Sequence, residues 1–477
     1  MSVRTRFAPS PTGLLHVGSA RTALYAWAFA RKHNGQFILR IEDTDKEREV
    51  EGAIGHIMES LHWLGIQWDE STDVGGAYAP YIQSQRLELY KKYAEQLLAA
   101  GFAYPDPYTE EEVAAFRAAA EAEKRPFLFR DHRPESVGEW DGSTPLRFRT
   151  PRIARYTWTD AVLGELSAGE EALDDFILIK GDGFPTYNFA HVVDDIEMKI
   201  THVMRGQEFV PSTPKFLALY EALDQEPPIF ATLPPILGES GTKKLSKRDG
   251  AKDVLDYQRE GYMPEALMNF LALLGWNPGG DKEFFTPAEI VELFSLERVQ
   301  KSGAQFDEAK LLFLNREWMR TMNDADYEAQ LHADALDQTL LARVVPILKE
   351  RAQTFAEART MLADELGFVF AAPTINPEML VAKQPASHPV STKDALLRVE
   401  EVLRAASDPL SSEDAKALIM PLADDAEAAG KGGRGGMLWP LRYALSGLER
   451  SPDPFTLVSV LGTQESLSRV QTALAIL

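Results

Sequence analysis

The spacing of apolar and polar residues changes several times along this chain, and each change predicts an element. Residues 4–7 read as a short strand, Pro9, Pro11 and Gly13 force a turn, and the run over 20–31 predicts a helix. Small residues around Gly18 let that helix begin close beneath a bound group. Residues 35–42 form an apolar stretch of strand length that closes on Glu42, Asp43 and Asp45. Helical spacing follows at 50–64 and 85–100.

From about residue 103 the character shifts. Tyr104 to Tyr108 lead into a Glu- and Ala-rich helix to Lys124, then Arg- and Pro-rich turns and an alternating strand, Leu146 to Arg149. The pattern predicts an insertion over 103–180 between two halves of a nucleotide-binding fold. A strand at 176–179 and a turn at 181–183 precede a helical run in which Tyr187 and His191, four apart, share one face and point into one pocket. Residues 200–205 read as a strand delivering Arg205, with Glu208 just beyond its carboxyl end. A basic run, 243–250, separates this region from an amphipathic helix that ends near Gly275. Helices continue at 286–294 and 306–320, and 321–477 is nearly all helical, broken at Pro373, Pro377, Pro389 and a glycine-rich stretch, 430–436. No internal repeat is visible.

Composition narrows the possibilities. A chain of 477 residues is too long for one core and predicts several domains. It contains no apolar run near the ~20 residues of a membrane span, and Met1 leads straight into a strand, so a cytoplasmic protein is expected. With no cysteine, disulfides, thiol catalysis and every Cys-ligated zinc site are excluded. The formal charge of −22 argues against nonspecific coating of nucleic acid, yet allows local basic faces on an acidic body.

The turn before the first helix is suited to an anion. Helix N-terminal donors and the His16 imidazole can hold phosphate oxygens, and Gly18 has no Cβ to keep a base or ribose away. This places ATP over the turn, with Mg2+ as its counter-ion. A lone His before a helix is more often a cap or surface residue. In an open parallel sheet ligands sit at the carboxyl ends of strands, where Glu42 falls and where it can receive an ammonium group. Asp45 to Arg48 read better as a charged capping loop. Lys243 to Gly250, taken alone, reads as a solvated basic run or a nucleic-acid patch.

Three motifs together carry a resemblance. Residues 6–19, with His16 and Gly18 in its defining positions, resemble the HIGH signature of class I aminoacyl-tRNA synthetases. Lys244-Leu245-Ser246-Lys247-Arg248, about 230 residues later, resembles the KMSKS signature. Arg40-Ile41-Glu42-Asp43-Thr44-Asp45 is similar to the glutamyl branch. The chain is identified as a member of the bacterial-type glutamyl-tRNA synthetases.

That resemblance implies an α/β fold: a Rossmann-like parallel-sheet catalytic domain with an α+β insertion, followed by all-helical C-terminal domains. The implied boundaries are 1–102 and 181–255 for the catalytic halves, 103–180 for an acceptor-stem insertion, 256–320 for a helical stem-contact domain and 321–477 for an anticodon-binding region. His16, Gly18, Lys244 and Lys247 would serve catalysis. Arg6, with help from Tyr187, would take the side-chain carboxylate of glutamate, Arg205 its α-carboxylate, and Ser10 and Glu42 its ammonium. His191 joins this group, although relatives vary there. Ser19, Glu208, Ile236, Ser246, Lys247 and Arg248 would contact ATP. Arg147, Arg351, Arg359 and Arg434 are candidate tRNA contacts, with plain surface arginine the commoner reading of each, as it is for Arg130, Arg133 and Arg149. Many relatives carry a cysteine zinc knob in the insertion; here Asp106 stands near the first expected ligand, which implies stem binding without zinc. The implied partners are L-glutamate, ATP with Mg2+ and tRNA(Glu), and the implied state is a monomer. Three alternatives are a noncatalytic tRNA-binding paralogue, a relative with altered tRNA specificity and a nucleotidyltransferase of the same superfold.

Overall fold

The computed structural model describes residues 2–238, 240–245, 252–381, 389–428 and 433–477. The chain divides into two compact units, Met1–Arg259 with Met263–Leu314, and Glu260–Tyr262 with Asn315–Leu477. Among the described residues no helix is long and apolar enough to cross a membrane.

The first unit is built on strands β1 (Arg4–Phe7), β2 (Gln36–Leu39), β3 (Ala103–Pro105), β4 (Leu146–Phe148), β5 (Tyr156–Asp160), β6 (Gly164–Ala168), β7 (Ile177–Ile179), β8 (His202–Gly206) and β9 (Ile229–Leu233). Six of them form one sheet in the order β2-β1-β8-β9-β5-β6, parallel throughout except for the β5–β6 hairpin. Parallel strands are covered on both faces, and all four residues of β1 are accordingly buried, Arg4 and Arg6 included. Helix α1 (Val17–Lys32) packs along β1, β2 and β8 through a buried face that includes Ala20, Leu24, Trp27 and Ala28. Helix α2 (Ala53–Trp63) and α3 (Leu87–Ala99) follow β2 in sequence.

The stretch after residue 103 divides between two sheets. β3, β4 and β7 make an antiparallel sheet of their own, whereas β5 and β6 return to extend the main sheet beyond β9. The buried Asp160 carboxylate secures that return, accepting the Val162 and Leu163 N–H groups at 2.9 Å and the Thr232 hydroxyl at 2.6 Å.

The small sheet also corrects an expectation. Arg147 does not face solvent or a passing phosphate. It lies 3.3 Å over the Phe129 ring, donates to Asp106 Oδ2 at 2.6 Å and to the Asp175 carbonyl at 3.0 Å. Arg133 pairs with Asp175 at 2.6 and 2.7 Å, and Tyr104 donates its hydroxyl to the same carboxylate at 2.9 Å. These arginines hold the insertion together, and their charges are already met.

The described residues of the second unit are helical from Asp324–Leu331 to Thr463–Ala475, with Pro389–Ala405 packed against both Gly435–Ser446 and Thr463–Ala475. Its three candidate arginines lie at the surface with local partners: Arg351 with Glu365 at 2.6 Å, Arg359 with the Gln330 carbonyl at 3.0 Å and Arg434 with Asp424 at 2.7 Å. Of the glycine-rich stretch, Gly430 and its neighbours through 432 lie outside the described residues.

Candidate active site

A cleft of about 610 Å³ opens at the carboxyl ends of β1, β2, β8 and β9, where a parallel sheet presents its ligands. Its walls come from the turn after β1, from Glu42 just past β2, from Arg205 to Glu208 at the end of β8 and from Leu233 to Ile236 after β9. The structure therefore gathers Arg6, Ser10, His16, Gly18, Ser19, Glu42, Tyr187, Arg205, Glu208, Ile236 and Lys244 around one space. Ser246, Lys247 and Arg248 lie outside the described residues.

His16 is the N-cap of α1. Its backbone is extended, at φ −101° and ψ 165°, and its Nδ1 accepts the Gly18 N–H at 3.1 Å and the Ser19 N–H at 3.4 Å. With Nδ1 accepting, the ring proton sits on Nε2, which lies 3.4 Å from Ser19 Oγ. The imidazole thus takes up two of the helix's first donors. A Cβ at position 18 would lie 3.2 Å from the His16 ring, so the glycine makes room for that imidazole.

Beneath the cleft floor lies a chain of buried charges. Arg6 meets Asp195 through Nε at 3.2 Å and Nη2 at 3.4 Å; Asp195 meets Arg40 at 2.8 Å; Arg40 meets Glu42 at 2.9 Å. Asp194 lies 3.6 Å from Arg40 Nε and accepts from Arg86 at 2.7 Å and from Tyr90 at 2.9 Å. Burial alone would raise the Asp195 carboxyl, but the Arg6 and Arg40 guanidiniums outweigh it and hold it at about 2. Burial likewise raises Glu42, opposed by Arg40 and Arg6. Arg40 and Asp195 carry no role in the sequence-based expectation, although an arginine inside the apolar run of residues 35–42 is the signal that reveals them.

Arg205 stands apart from that chain. It is 6% exposed, its Nη2 donates to Thr213 Oγ1 at 2.8 Å, and its Nη1 has no hydrogen-bond partner among the described residues. Phe230 and Phe216 flank the guanidinium at 4.6 and 4.8 Å. Burial brings its pKa down to about 10, a mark of a desolvated cation without a counter-anion beside it.

Tyr187 opens helix α4 (Tyr187–Glu197) and lines the cleft, its phenol pushed up by burial and by Glu42. His191 does not line the cleft. It stacks on Tyr187 at 4.7 Å, meets Phe216 edge-on at 4.4 Å and donates from Nδ1 to the Tyr187 carbonyl at 2.8 Å. Burial lowers it to about 3, so it is a neutral support for Tyr187 and not a second wall of the pocket. On the opposite side Lys244 reaches Glu208 at 3.1 Å, and Leu245 N–H donates to the Ile236 carbonyl at 2.8 Å.

The strand-end cleft brings together the histidine-capped start of α1, a buried chain of paired charges and the partly unpartnered Arg205 guanidinium. Residues 2–313 match the model of tRNA synthetases class I (E and Q), catalytic domain, and residues 312–474 match an anticodon binding domain. The chain belongs to the class I tRNA synthetases of the E and Q group, a family of ATP-dependent ligases. Within that family, relatives that match along nearly their whole length include glutamate enzymes. It is 40% identical to a glutamate–tRNA ligase of Dehalococcoides mccartyi over 491 residues, covering 99% of this chain and 97% of the relative. A glutamate–tRNA ligase of Clostridium botulinum is also 40% identical, over 98% of this chain and 97% of the relative. Among solved structures, a glutamate tRNA ligase from Elizabethkingia meningosepticum, in complex with its amino acid, superposes with a TM-score of 0.86 at 35% identity, covering 100% of this chain and 99% of that one.

Proposed function

We propose that this chain is a glutamate–tRNA ligase. In the first step an oxygen of the glutamate α-carboxylate attacks the α-phosphorus of ATP, and pyrophosphate leaves with the bonding electron pair. In the second a ribose hydroxyl of the terminal adenosine of tRNA(Glu) attacks the glutamyl carbonyl and gives up its proton to the phosphate or to water, and AMP leaves with the electron pair of the broken acyl–oxygen bond. Neither step needs a nucleophilic side chain; both need positioned substrates and neutralised charge. His16, with its proton on Nε2, donates to the phosphates, and Lys244 with Lys247 supplies cationic charge to them. Ser19, Glu208, Ile236, Ser246 and Arg248 complete the ATP side. Mg2+ arrives with the triphosphate, and zinc has no part, consistent with the absence of cysteine and with the Asp106–Arg147 pair inside the insertion. Arg351, Arg359 and Arg434 remain proposed tRNA contacts, and the enzyme is proposed to act as a cytoplasmic monomer.

The observation that carries the reading is Arg205. Arg6, Arg40 and Arg86 are each met by Glu42, Asp194 or Asp195, and the buried Arg21 donates to the Leu274 and Pro234 carbonyls, which leaves Arg205 as the cleft's buried guanidinium with neither a carboxylate nor a carbonyl partner among the described residues. Glutamate carries two carboxylates and one ammonium, a net charge that complements this surplus; glutamine carries none. In the proposed pose Arg205 takes the α-carboxylate, Arg6 and Tyr187 take the side chain, and Ser10 and Glu42 face the ammonium. An amide beside Arg6 would offer one acceptor and turn an NH2 donor toward a cation, leaving a desolvated charge poorly met. Rejection of glutamine by ~10⁴-fold is within reach of such a site.

Exchange of labelled pyrophosphate into ATP, run with glutamate and with glutamine and with and without tRNA(Glu), tests the proposal. Exchange with glutamate alone among the two amino acids is expected. Exchange that follows glutamine, or none with either in the presence of tRNA, would overturn it.

A further inference from the structure

His16 works only if its ring is aimed, and the residue before it is held in an unusual way. Leu15 is buried, and both polar groups of its backbone are engaged by other parts of the chain. Its carbonyl accepts the Val254 N–H at 2.9 Å, and His16 forms an antiparallel bridge with Asp253. Its own N–H donates to Nδ1 of His56, on α2, at 3.3 Å. Because that nitrogen accepts, the His56 ring proton belongs on Nε2, and Nε2 donates to Asp253 Oδ1 at 3.2 Å. Ser60 Oγ is also 3.4 Å from Nδ1, but its proton is committed to the His56 carbonyl at 2.7 Å, so Leu15 is the donor that Nδ1 serves. Asp253 Oδ1 in turn accepts the Asp256 N–H at 3.0 Å and so caps the helix Val254–Arg259. Leu15, His56, Asp253 and Val254 therefore close a ring of hydrogen bonds drawn from three places in the sequence.

We propose that His56 is a positioning residue for His16: it fixes the Leu15 peptide from one side while Val254 fixes it from the other, and so sets where the His16 imidazole stands. This rests on the reading of His16 as the donor to ATP phosphates. His56 touches neither the cleft nor any reacting group. Its side chain is 13% exposed, at the edge of the packed interior. An aimed donor that drifts by about 1 Å loses roughly a hundredfold in rate, and drift of the Leu15 peptide carries His16 with it.

The test is pyrophosphate exchange with glutamate and tRNA(Glu) on five proteins: wild type, His16→Ala, His56→Ala, His56→Asn and the double variant His16→Ala/His56→Ala, each checked by circular dichroism. His56→Ala should lower kcat by about 10- to 100-fold while KM for glutamate stays within about twofold. Asn places an acceptor where Nδ1 stood and should recover most of the loss. In the His16→Ala background, removing His56 should cost little more, because its effect passes through a ring no longer present. A merely structural His56 would give the same loss with or without His16, and Asn would not rescue it. If His56→Ala fails to fold, Gln replaces it in the comparison: Gln reaches Asp253 but offers Leu15 no acceptor, so Asn should be active and Gln slow. Wild-type kcat for His56→Ala, equal rates for Asn and Ala or for Asn and Gln, or additive losses in the double variant would each overturn the proposal. Wild-type exchange by His16→Ala alone would instead overturn the placement of ATP.

Discussion

Two sheets of the first unit each bury an arginine, and the two are treated in opposite ways. In the three-stranded sheet Arg147 is met by a carboxylate at 2.6 Å, a carbonyl at 3.0 Å and an aromatic face. At the end of β8 Arg205 has a hydroxyl, aromatic flanks and an Nη1 without a partner. A paired buried charge is part of the architecture, and removing one member strands the other. A buried cation without an anion costs free energy in the empty protein, and a ligand can return that cost on binding. Partner count, and not burial or position on a strand, separates Arg147 from Arg205 and supports the proposed role of Arg205 as a substrate contact.

The sharpest way to break this comparison is to replace both arginines by methionine. Arg205→Met should lower kcat/KM for glutamate by about 10³-fold, since a buried charge pair with the substrate is lost, and should leave the unfolding midpoint unchanged or raised. Arg147→Met should do the reverse. Leaving Asp106 buried without its partner should cost about 3–5 kcal/mol of stability, read by urea titration, with kcat retained in the folded fraction. If Arg147→Met lost activity at full stability, or Arg205→Met lost stability at full activity, the distinction would fail.

A smaller effect sharpens it by pH. Burial takes His191 from an ordinary value of 6.5 to about 3. Between those values the unfolded chain binds a proton that the folded chain does not, so the stability contribution is complete above about pH 6.5 and is lost as pH falls, by at most ~1.4 kcal/mol per pH unit. His191→Asn, which can still donate to the Tyr187 carbonyl, should flatten the fall in unfolding midpoint between about pH 7 and pH 5. An unchanged slope would mean that His191 is not held neutral. The smallest effect concerns the insertion: exhaustive zinc chelation in Mg2+ buffer should leave aminoacylation at its starting rate, and activity restored by zinc alone would refute the reading of Asp106 and Arg147.

Much of this was legible before any coordinates. The turn over residues 6–19, the strand closing on Glu42 and the tyrosine at 187 are local signals, written in prolines, glycines and short apolar runs, and they meet in one cleft. Less legible were contacts that close over long separations. His56 and Asp253 stand 197 residues apart, Arg6 and Asp195 stand 189 apart, and no local spacing links either pair. Arg147 was misplaced for a different reason. Its strand, Leu146 to Arg149, alternates as a half-solvated strand should, yet β4 is buried along its whole length. Alternation reports two chemically different faces, and here the polar face meets Asp106 and Phe129 where it was expected to meet water. The departure of β5 and β6 to the main sheet is invisible in a pattern that specifies strands but not their neighbours.

The strand order also imposes a schedule on synthesis. β1 pairs with β2 soon after both are made, but its other edge is claimed by β8, which begins at His202. At ~5–20 residues per second, the ribosome takes roughly ten to thirty seconds to travel from Leu39 to His202. Throughout that interval the nascent chain carries an open parallel edge at β1, the kind of edge that invites mispairing between neighbouring chains on a polysome. The centre of the finished sheet is thus the last part of it to close.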